Sequence, residues 1–328
     1  MFVLFISETK LARTPGLSAA GANLEVLPYT APADVDLMFY DMPKVIDCVP
    51  LDPFGHPTPA IVTKAALLEG KFPITAVRAG TSIAPVAPFL ELTDIPGEDP
   101  RETRAVVNVD EINKKAVELA KKIGADNKLI VIGESVPGGT TTALLLLRAL
   151  GYNGMVSSAA PDNPCSIKEE IWSKVSARLG IEVGGLKGKG LEAAAEVGDP
   201  MQIAVASFVS ALPDDVEVVL AGGTQMSAVA ALIRDMGITR PLLIATSKYI
   251  IEDKSSCFIE YAEKAGVEWY AAPLDLSGSK YTGLSDYEKG FVKEGVGMGG
   301  AVWYAIKNGA TMKDIIDRIE HLYEGMIS

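Results

Sequence analysis

The stretch "KLIVIGESVPGGTTTALLLLRALG" (residues 128–151) joins an apolar run to a helical one through a glycine-rich turn. Four consecutive apolar positions, 129–132, predict a strand covered on both faces. A Walker phosphate loop reads G-x-x-x-x-G-K-[ST], and Gly133, Gly138 and Thr140 keep its spacing while Gly139 stands where the lysine belongs. A strand that ends in glycines and feeds a helix offers backbone N–H groups and the positive end of the helix to an anion. Without the lysine, and without a Walker B aspartate after another strand, the turn suits a monophosphate better than a triphosphate. The purely structural alternative is a tight turn capped by Thr140. Three successive threonines exceed what one cap needs, which favours a ligand.

The same alternation runs along the chain. Strand-like runs are "FVLFI" (2–6), "VDLMFY" (35–40), "ITAVRAG" (74–80), "KLIVIG" (128–133), "VEVVLAGG" (216–223), "PLLIAT" (241–246) and "VEWYAA" (267–272). Between them lie helical patterns such as "DEINKKAVELAKKIG" (110–124), "DPMQIAVASFVSAL" (199–212) and "MSAVAALIRDMG" (226–237), several of which stop at glycine. Such alternation predicts an α/β fold: a doubly wound, mainly parallel, Rossmann-like sheet with helices on both faces. Ligands of such sheets sit at the carboxyl ends of the strands. The expected organisation is one two-lobed unit over residues 1–328. A phosphate-binding lobe covers about 30–305, and a small accessory lobe is made by about 1–30 with 306–328.

Composition narrows the function. The chain has 328 residues, 48% of them hydrophobic, and 30 Lys+Arg against 42 Asp+Glu give a net charge of −12. Neither nucleic acid nor an anionic membrane surface rewards such acidity. Cys48, Cys165 and Cys257 lie far apart, and the two histidines, His56 and His321, complete no zinc spacing, so no metal site is expected. No apolar run reaches the length of a membrane span. The start, "MFVLFISETK", lacks the basic region and cleavage site of a signal peptide and reads as a first buried strand. The expectation is a soluble cytoplasmic protein that acts on small molecules and needs no cofactor.

Three further stretches carry candidate chemistry. "VEVVLAGGTQMSAVAAL" (216–232) repeats the strand–turn–helix plan, with Gly222, Gly223 and Thr224 at the turn. "KEGVGMGGAVWYAI" (293–306) sets Glu294 ahead of a glycine-rich turn, where a carboxylate can reach into a crevice. "GGLKGKGLE" (184–192) puts Lys187 and Lys189 among glycines, where a mobile cation could replace the missing loop lysine. The bland alternatives are close helix–strand packing for the first, an ordinary exposed glutamate for the second and a solvated surface turn for the third.

In this order, the four stretches resemble the nicotinate-nucleotide:dimethylbenzimidazole phosphoribosyltransferases, as an archaeal-type branch related to that family. Gly133, Glu134, Gly138, Thr140 and Thr141 match its Gly-Glu…Gly-x-Thr-Thr loop. Lys187 and Lys189 match its basic glycine-rich loop. Asp199 and Pro200, followed by Gly222 and Gly223, match its next helix and turn, and Glu294, Gly295 and Gly297 its Glu-Gly-x-Gly segment. The likeness covers about residues 128–305. The N-terminal third lacks the family's Gly-Ser-Leu-Gly and Asp-His/Asn-Gly segments, and Lys293 stands where the family has glycine.

The resemblance implies transfer of 5-phosphoribosyl from nicotinate mononucleotide to a benzimidazole-type base, within assembly of the cobalamin lower ligand. It implies a homodimer. It makes Glu294 the general base and Glu134 a second catalytic candidate that orients the ribose. Ser135, Gly138, Gly139, Thr140 and Thr141 would hold the phosphate, with Gly222, Gly223 and Thr224 opposite and Lys187 or Lys189 adding charge. An apolar slot for the acceptor is expected at "AGTSIAPVAPF" (79–89). Two other readings remain open on the same residues: a phosphorylase or hydrolase of nucleoside monophosphates, and a nucleotide-binding protein without catalysis.

Overall fold

The computed structural model describes residues 1–328. Seven strands are β1 (Phe2–Ile6), β2 (Ile74–Ala79), β3 (Leu90–Thr93), β4 (Leu129–Ser135), β5 (Glu217–Ala221), β6 (Leu243–Ser247) and β7 (Glu268–Ala272). They form one sheet, all parallel, in the order β3-β2-β1-β4-β5-β6-β7. The order reverses between β1 and β4, so a crevice opens there at the carboxyl ends of the strands. The helices are α1 (Thr30–Phe39), α2 (Ala60–Gly70), α3 (Val109–Gly124), α4 (Gly139–Ala149), α5 (Cys165–Leu179), α6 (Gly190–Val197) and α7 (Pro200–Ala211). They continue as α8 (Thr224–Asp235), α9 (Lys248–Glu252), α10 (Phe258–Ala265), α11 (Thr282–Ser285), α12 (Met298–Lys307) and α13 (Met312–Ile327).

Strand β1 shows why the runs are apolar on consecutive positions. Val3 and Phe5 join the core on one face of the sheet, and Phe2, Leu4 and Ile6 join the core on the other. All five are buried, as expected where helices cover both faces. On one side α3, α4, α7, α8 and α10 complete the core; on the other α1, α2, α12 and α13 do so.

Three expectations need correction. The run "VDLMFY" is not a strand but the end of α1, whose residues 31–38 are all buried. A helix covered on every side loses its 3.6-residue pattern, and a short apolar run then reads equally well as a strand. The sheet has instead a short edge strand, β3, whose first two residues, Leu90 and Glu91, are exposed. Finally, Phe2–Ile6 pairs with both β2 and β4 near the centre of the sheet, so the first residues belong to it and not to an accessory lobe. Helix α13 packs on α2 and shares its core, tied there by Arg318 Nε donating to Glu69 (2.7 Å).

Candidate active site

A cavity of about 980 Å³ opens over the carboxyl ends of β4, β5 and β6. Its floor comes from the turns after these strands, and its outer wall from residues 15–30 and 46–59. The turn after β4 works through two glycines. Gly138 sits at φ +79, left-handed, and starts α4. At Gly139 an added Cβ would lie 1.9 Å from Gln225 Oε1, the end of a side chain that would have to swing aside, so the first turns of α4 and α8 lie close together here. The two helix N-termini thus converge on one space, each directing unpaired N–H groups and positive partial charge toward it.

The three threonines divide their work. Thr140 lines the cavity. Thr141 is fully buried, its Oγ1 without a partner. Thr142 is buried and donates to Asp199 Oδ2 (2.5 Å), the carboxylate that caps α7 with a reciprocal bond pattern to Gln202. Ser135 lines the cavity, but its Oγ is engaged by Asp34 Oδ2 (2.7 Å).

Glu294 is brought in by close packing. Gly299 and Gly300 of α12 lie against β6 and β5: an added Cβ at Gly299 would sit 2.1 Å from the Thr246 carbonyl carbon, and one at Gly300 2.2 Å from Ala221 Cβ. Gly297 backs onto Gly133, which itself makes room for the Phe2 ring. The α12 N-terminus therefore reaches the strand ends, and Glu294 rides on it. Its Oε2 accepts from Ser247 N (2.8 Å) and Thr246 Oγ1 (3.2 Å), and its Oε1 from Gly295 N and Gly299 N (both 3.2 Å). The residue keeps a partial opening to the cavity, yet burial pushes its pKa up to about 7 despite these four donors, which pull the other way.

Glu134, at the end of β4, is buried, and its Oε2 has no partner. Burial, followed by the nearby carboxylates of Glu294, Asp199 and Asp34, raises its pKa well above the ordinary range. Burial also lifts Asp34 and Asp199 to about 6, against the pull of their hydroxyl and backbone donors. Burial makes the charged form of each of these acids costly, and at Glu134 the neighbouring carboxylates add to that cost.

Of the residues singled out from sequence, Glu134, Ser135, Gly138, Gly139, Thr140, Gly223, Thr224 and Glu294 line the one cavity. Gly133, Thr141 and Gly222 lie beneath it. Lys187 and Lys189 do not reach it. They are exposed on the turn that pairs Leu186 N with Ala149 O (3.0 Å), at the far end of α4. Eleven residues of helix set that end about 16 Å from the glycine turn after β4. The segment 79–89 is absent from the lining as well; it connects β2 to β3. The apolar wall comes instead from residues such as Leu17, Leu27, Leu51, Phe54, Phe291 and Val296.

Sequence reasoning missed Asp34, Gln225, Ser157 and His56. His56 stacks on Phe291 (ring centroids 4.1 Å) between the carboxylates of Asp52 (2.8 Å) and Asp286 (3.3 Å). A signal existed for Asp34, one of two aspartates in the apolar run of α1 whose residues 31–38 are all buried.

No family model matches the chain. A UPF0284 protein of Pyrococcus furiosus is 47% identical over 331 residues, covering 100% of this chain and 99% of the relative. One from Thermococcus gammatolerans is 44% identical, covering 100% and 98%, and one from Methanosarcina mazei 42%, covering 98% and 93%. Among solved structures, a nicotinate-nucleotide-dimethylbenzimidazole phosphoribosyltransferase from Thermus thermophilus superposes with a TM-score of 0.64 at 16% identity, covering 98% of this chain and 82% of that one. A structure of CobT from the same organism gives 0.62 at 17%, covering 98% and 83%. At such identity the likeness is one of fold. By its sequence relatives, the chain belongs to the UPF0284 family, and it shares its α/β fold with the nicotinate-nucleotide-dimethylbenzimidazole phosphoribosyltransferases.

Proposed function

We propose that the protein is a phosphoribosyltransferase that moves 5-phosphoribosyl from nicotinate mononucleotide to a benzimidazole-type base, giving α-ribazole phosphate and nicotinate. The observation that carries this reading is Glu294: a carboxylate titrating near neutrality, fixed by four hydrogen bonds, in the same cavity as two converging helix N-termini. That pairing supplies a base and an anion anchor in one space. The shared fold supports the same class of reaction.

In this mechanism the phosphate lies against the first turns of α4 and α8, near Gly138, Gly139, Thr140, Gly223 and Thr224. One azole nitrogen attacks the anomeric carbon from the face opposite nicotinate. The glycosidic C–N bond breaks, and its electron pair returns to the nicotinate ring. The proton on the other azole nitrogen passes to the Glu294 carboxylate. Burial and the neighbouring carboxylates favour the neutral form of Glu134, which in this mechanism orients the ribose as a hydrogen-bond donor. A base matched to working pH contributes about 10²–10⁴ in rate.

The test uses the purified chain, nicotinate mononucleotide and a panel of azole and purine bases, with nicotinate release read by chromatography. Release that requires an added base supports the proposal and names the acceptor. Release without any base marks a hydrolase. Binding of the mononucleotide without release under any base leaves a binding protein, and the transferase reading is lost.

A further inference from the structure

The cavity's lining holds the carboxylates of Asp34, Asp52, Glu134, Asp162 and Glu294, and one lysine or arginine, Lys293. We propose that Lys293 is the cation that receives the substrate's phosphate monoester, the role that Lys187 and Lys189 are placed too far away to fill. This rests on the donor being a nucleoside monophosphate.

Three observations carry it. First, Lys293 is built in. It is 5% exposed, and its Nζ donates to Asp253 Oδ2 (2.9 Å) and to Ala160 O (3.1 Å). An ammonium has three donors, so one is left for a ligand. Second, the network around it leads to an anion-binding helix end. Asp253 Oδ2 also accepts from Ser157 Oγ (2.6 Å), and Ser157 N donates to Thr224 Oγ1 (3.3 Å) in the first turn of α8. The lysine and the N–H groups of α8 thus face one part of the cavity.

Third, the backbone is forced to present it. Val292 (φ +48) and Val296 (φ +53) are both left-handed, a conformation that β-branched residues rarely adopt. Such outliers persist where the surroundings fix them, and they gather at functional sites. Between them Ser247 holds both neighbours, its hydroxyl on the Lys293 carbonyl and its N–H on the Glu294 carboxylate. Anion anchor and base are therefore set by one strained turn.

The test measures binding by calorimetry to nicotinate mononucleotide, to its dephosphorylated riboside and to inorganic phosphate. Lys293→Met should weaken the mononucleotide and inorganic phosphate about tenfold or more and leave the riboside within about twofold, and Lys293→Arg should recover most of the loss. Equal weakening of mononucleotide and riboside would make Lys293 a packing residue and overturn the proposal, as would unchanged phosphate binding. Removing the lysine leaves Asp253 buried without its cation, so Lys293→Met with Asp253→Asn serves if the single variant does not fold. Wild-type protein that binds phosphate through Lys293 but not the mononucleotide would end the donor assignment and keep this one. Mononucleotide binding that ignores Lys293 would do the reverse. Binding of neither ligand would overturn both.

Discussion

Replacing Glu294 by glutamine separates its charge from its shape. The side chain accepts four hydrogen bonds, three from backbone N–H groups of Ser247, Gly295 and Gly299. Glutamine keeps one acceptor oxygen, which best serves Gly295 and Gly299, and turns its NH₂ toward Ser247 and Thr246. The rise of the Glu294 pKa from the ordinary 4.5 to about 7 corresponds to about 3 kcal/mol. Because the folded pKa is the higher one, the folded state binds the extra proton. This contribution is fully present below pH ~4.5 and is lost as pH rises through ~7. Urea unfolding at pH 5 and pH 8 should therefore show about 3 kcal/mol less pH dependence in Glu294→Gln than in wild type, whatever its absolute stability. Nicotinate release with base present should fall about 10²–10⁴-fold, with mononucleotide binding kept within a few-fold. In wild type the rate constant kcat/KM should rise with pH and level off above ~7, as a base with that pKa loses its proton. A folded Glu294→Gln variant that turns over within threefold of wild type would refute the assignment of the base. An unchanged pH dependence of stability would refute the enclosed, proton-binding carboxyl.

Other outcomes test the placement of the remaining residues. Lys187→Ala and Lys189→Ala, alone or together, should leave kcat/KM within about twofold, since both lie on the exposed turn beyond α4; a tenfold loss would return them to the site. Gly299→Ala should destabilise by about 3 kcal/mol in urea and cut turnover at least tenfold. Its Cβ would meet the β6 backbone at 2.1–2.5 Å and push away the helix end that holds Glu294. Asp36, fully buried, accepts from the N–H groups of Lys44, Val45, Val86 and Ala87 at 2.8–2.9 Å. Asp36→Asn turns an NH₂ onto two of these donors and should cost about 2–5 kcal/mol by urea unfolding, with less than 1 kcal/mol arguing against the clamp.

Much of the fold was legible because its strands are short, apolar on both faces and punctuated by glycine. Six of the seven were readable from that pattern, and the seventh, β3, was not, since "LELT" (90–93) is a half-exposed edge with no distinguishing period. The misreading of α1 came from burial on every side, which erases the pattern that separates helix from strand. The site divides in the same way. Turns that follow a strand directly, at Gly138 and Gly223, were readable because strand ends gather at one edge of a parallel sheet. Lys187 and Lys189 misled because local composition is silent on helix direction: the chain that leaves α4 and runs through α5 returns at the far end of α4, away from the strand ends. Residues 15–30 and 46–59 wall the cavity without any regular pattern, so only the folded chain brings them there. Gly297, Gly299 and Gly300 read as a glycine-rich turn and Gly133 as part of a phosphate loop, and three-dimensional packing shows another use, since they seat a helix tightly on the sheet.

An acidic cavity is an odd host for a phosphorylated substrate, and the arrangement of protons and dipoles resolves this. Burial and the neighbouring carboxylates favour the neutral form of Glu134, and Glu294, with its pKa pushed up to about 7, stands close to its midpoint at neutral pH. The lining is therefore less negative than its composition. Against the remaining charge stand two helix N-termini, each equivalent to about half a positive charge, and the ammonium of Lys293, itself paired with Asp253, on the side of Ser157 and α8. In the proposed reaction a phosphate bound there lies close to Glu294, which follows Lys293 in the chain and whose Cβ would lie 3.6 Å from a Cβ at Gly223. A bound phosphate and the nearby carboxylates together disfavour a second anion near the base, which selects for an acceptor that arrives neutral and leaves its proton behind. A benzimidazole-type base meets that condition. A phosphate or carboxylate acceptor does not, so a panel that pairs neutral azoles with anionic acceptors of similar size should show turnover with the neutral members alone; transfer to an anionic acceptor at comparable kcat/KM would refute this selection.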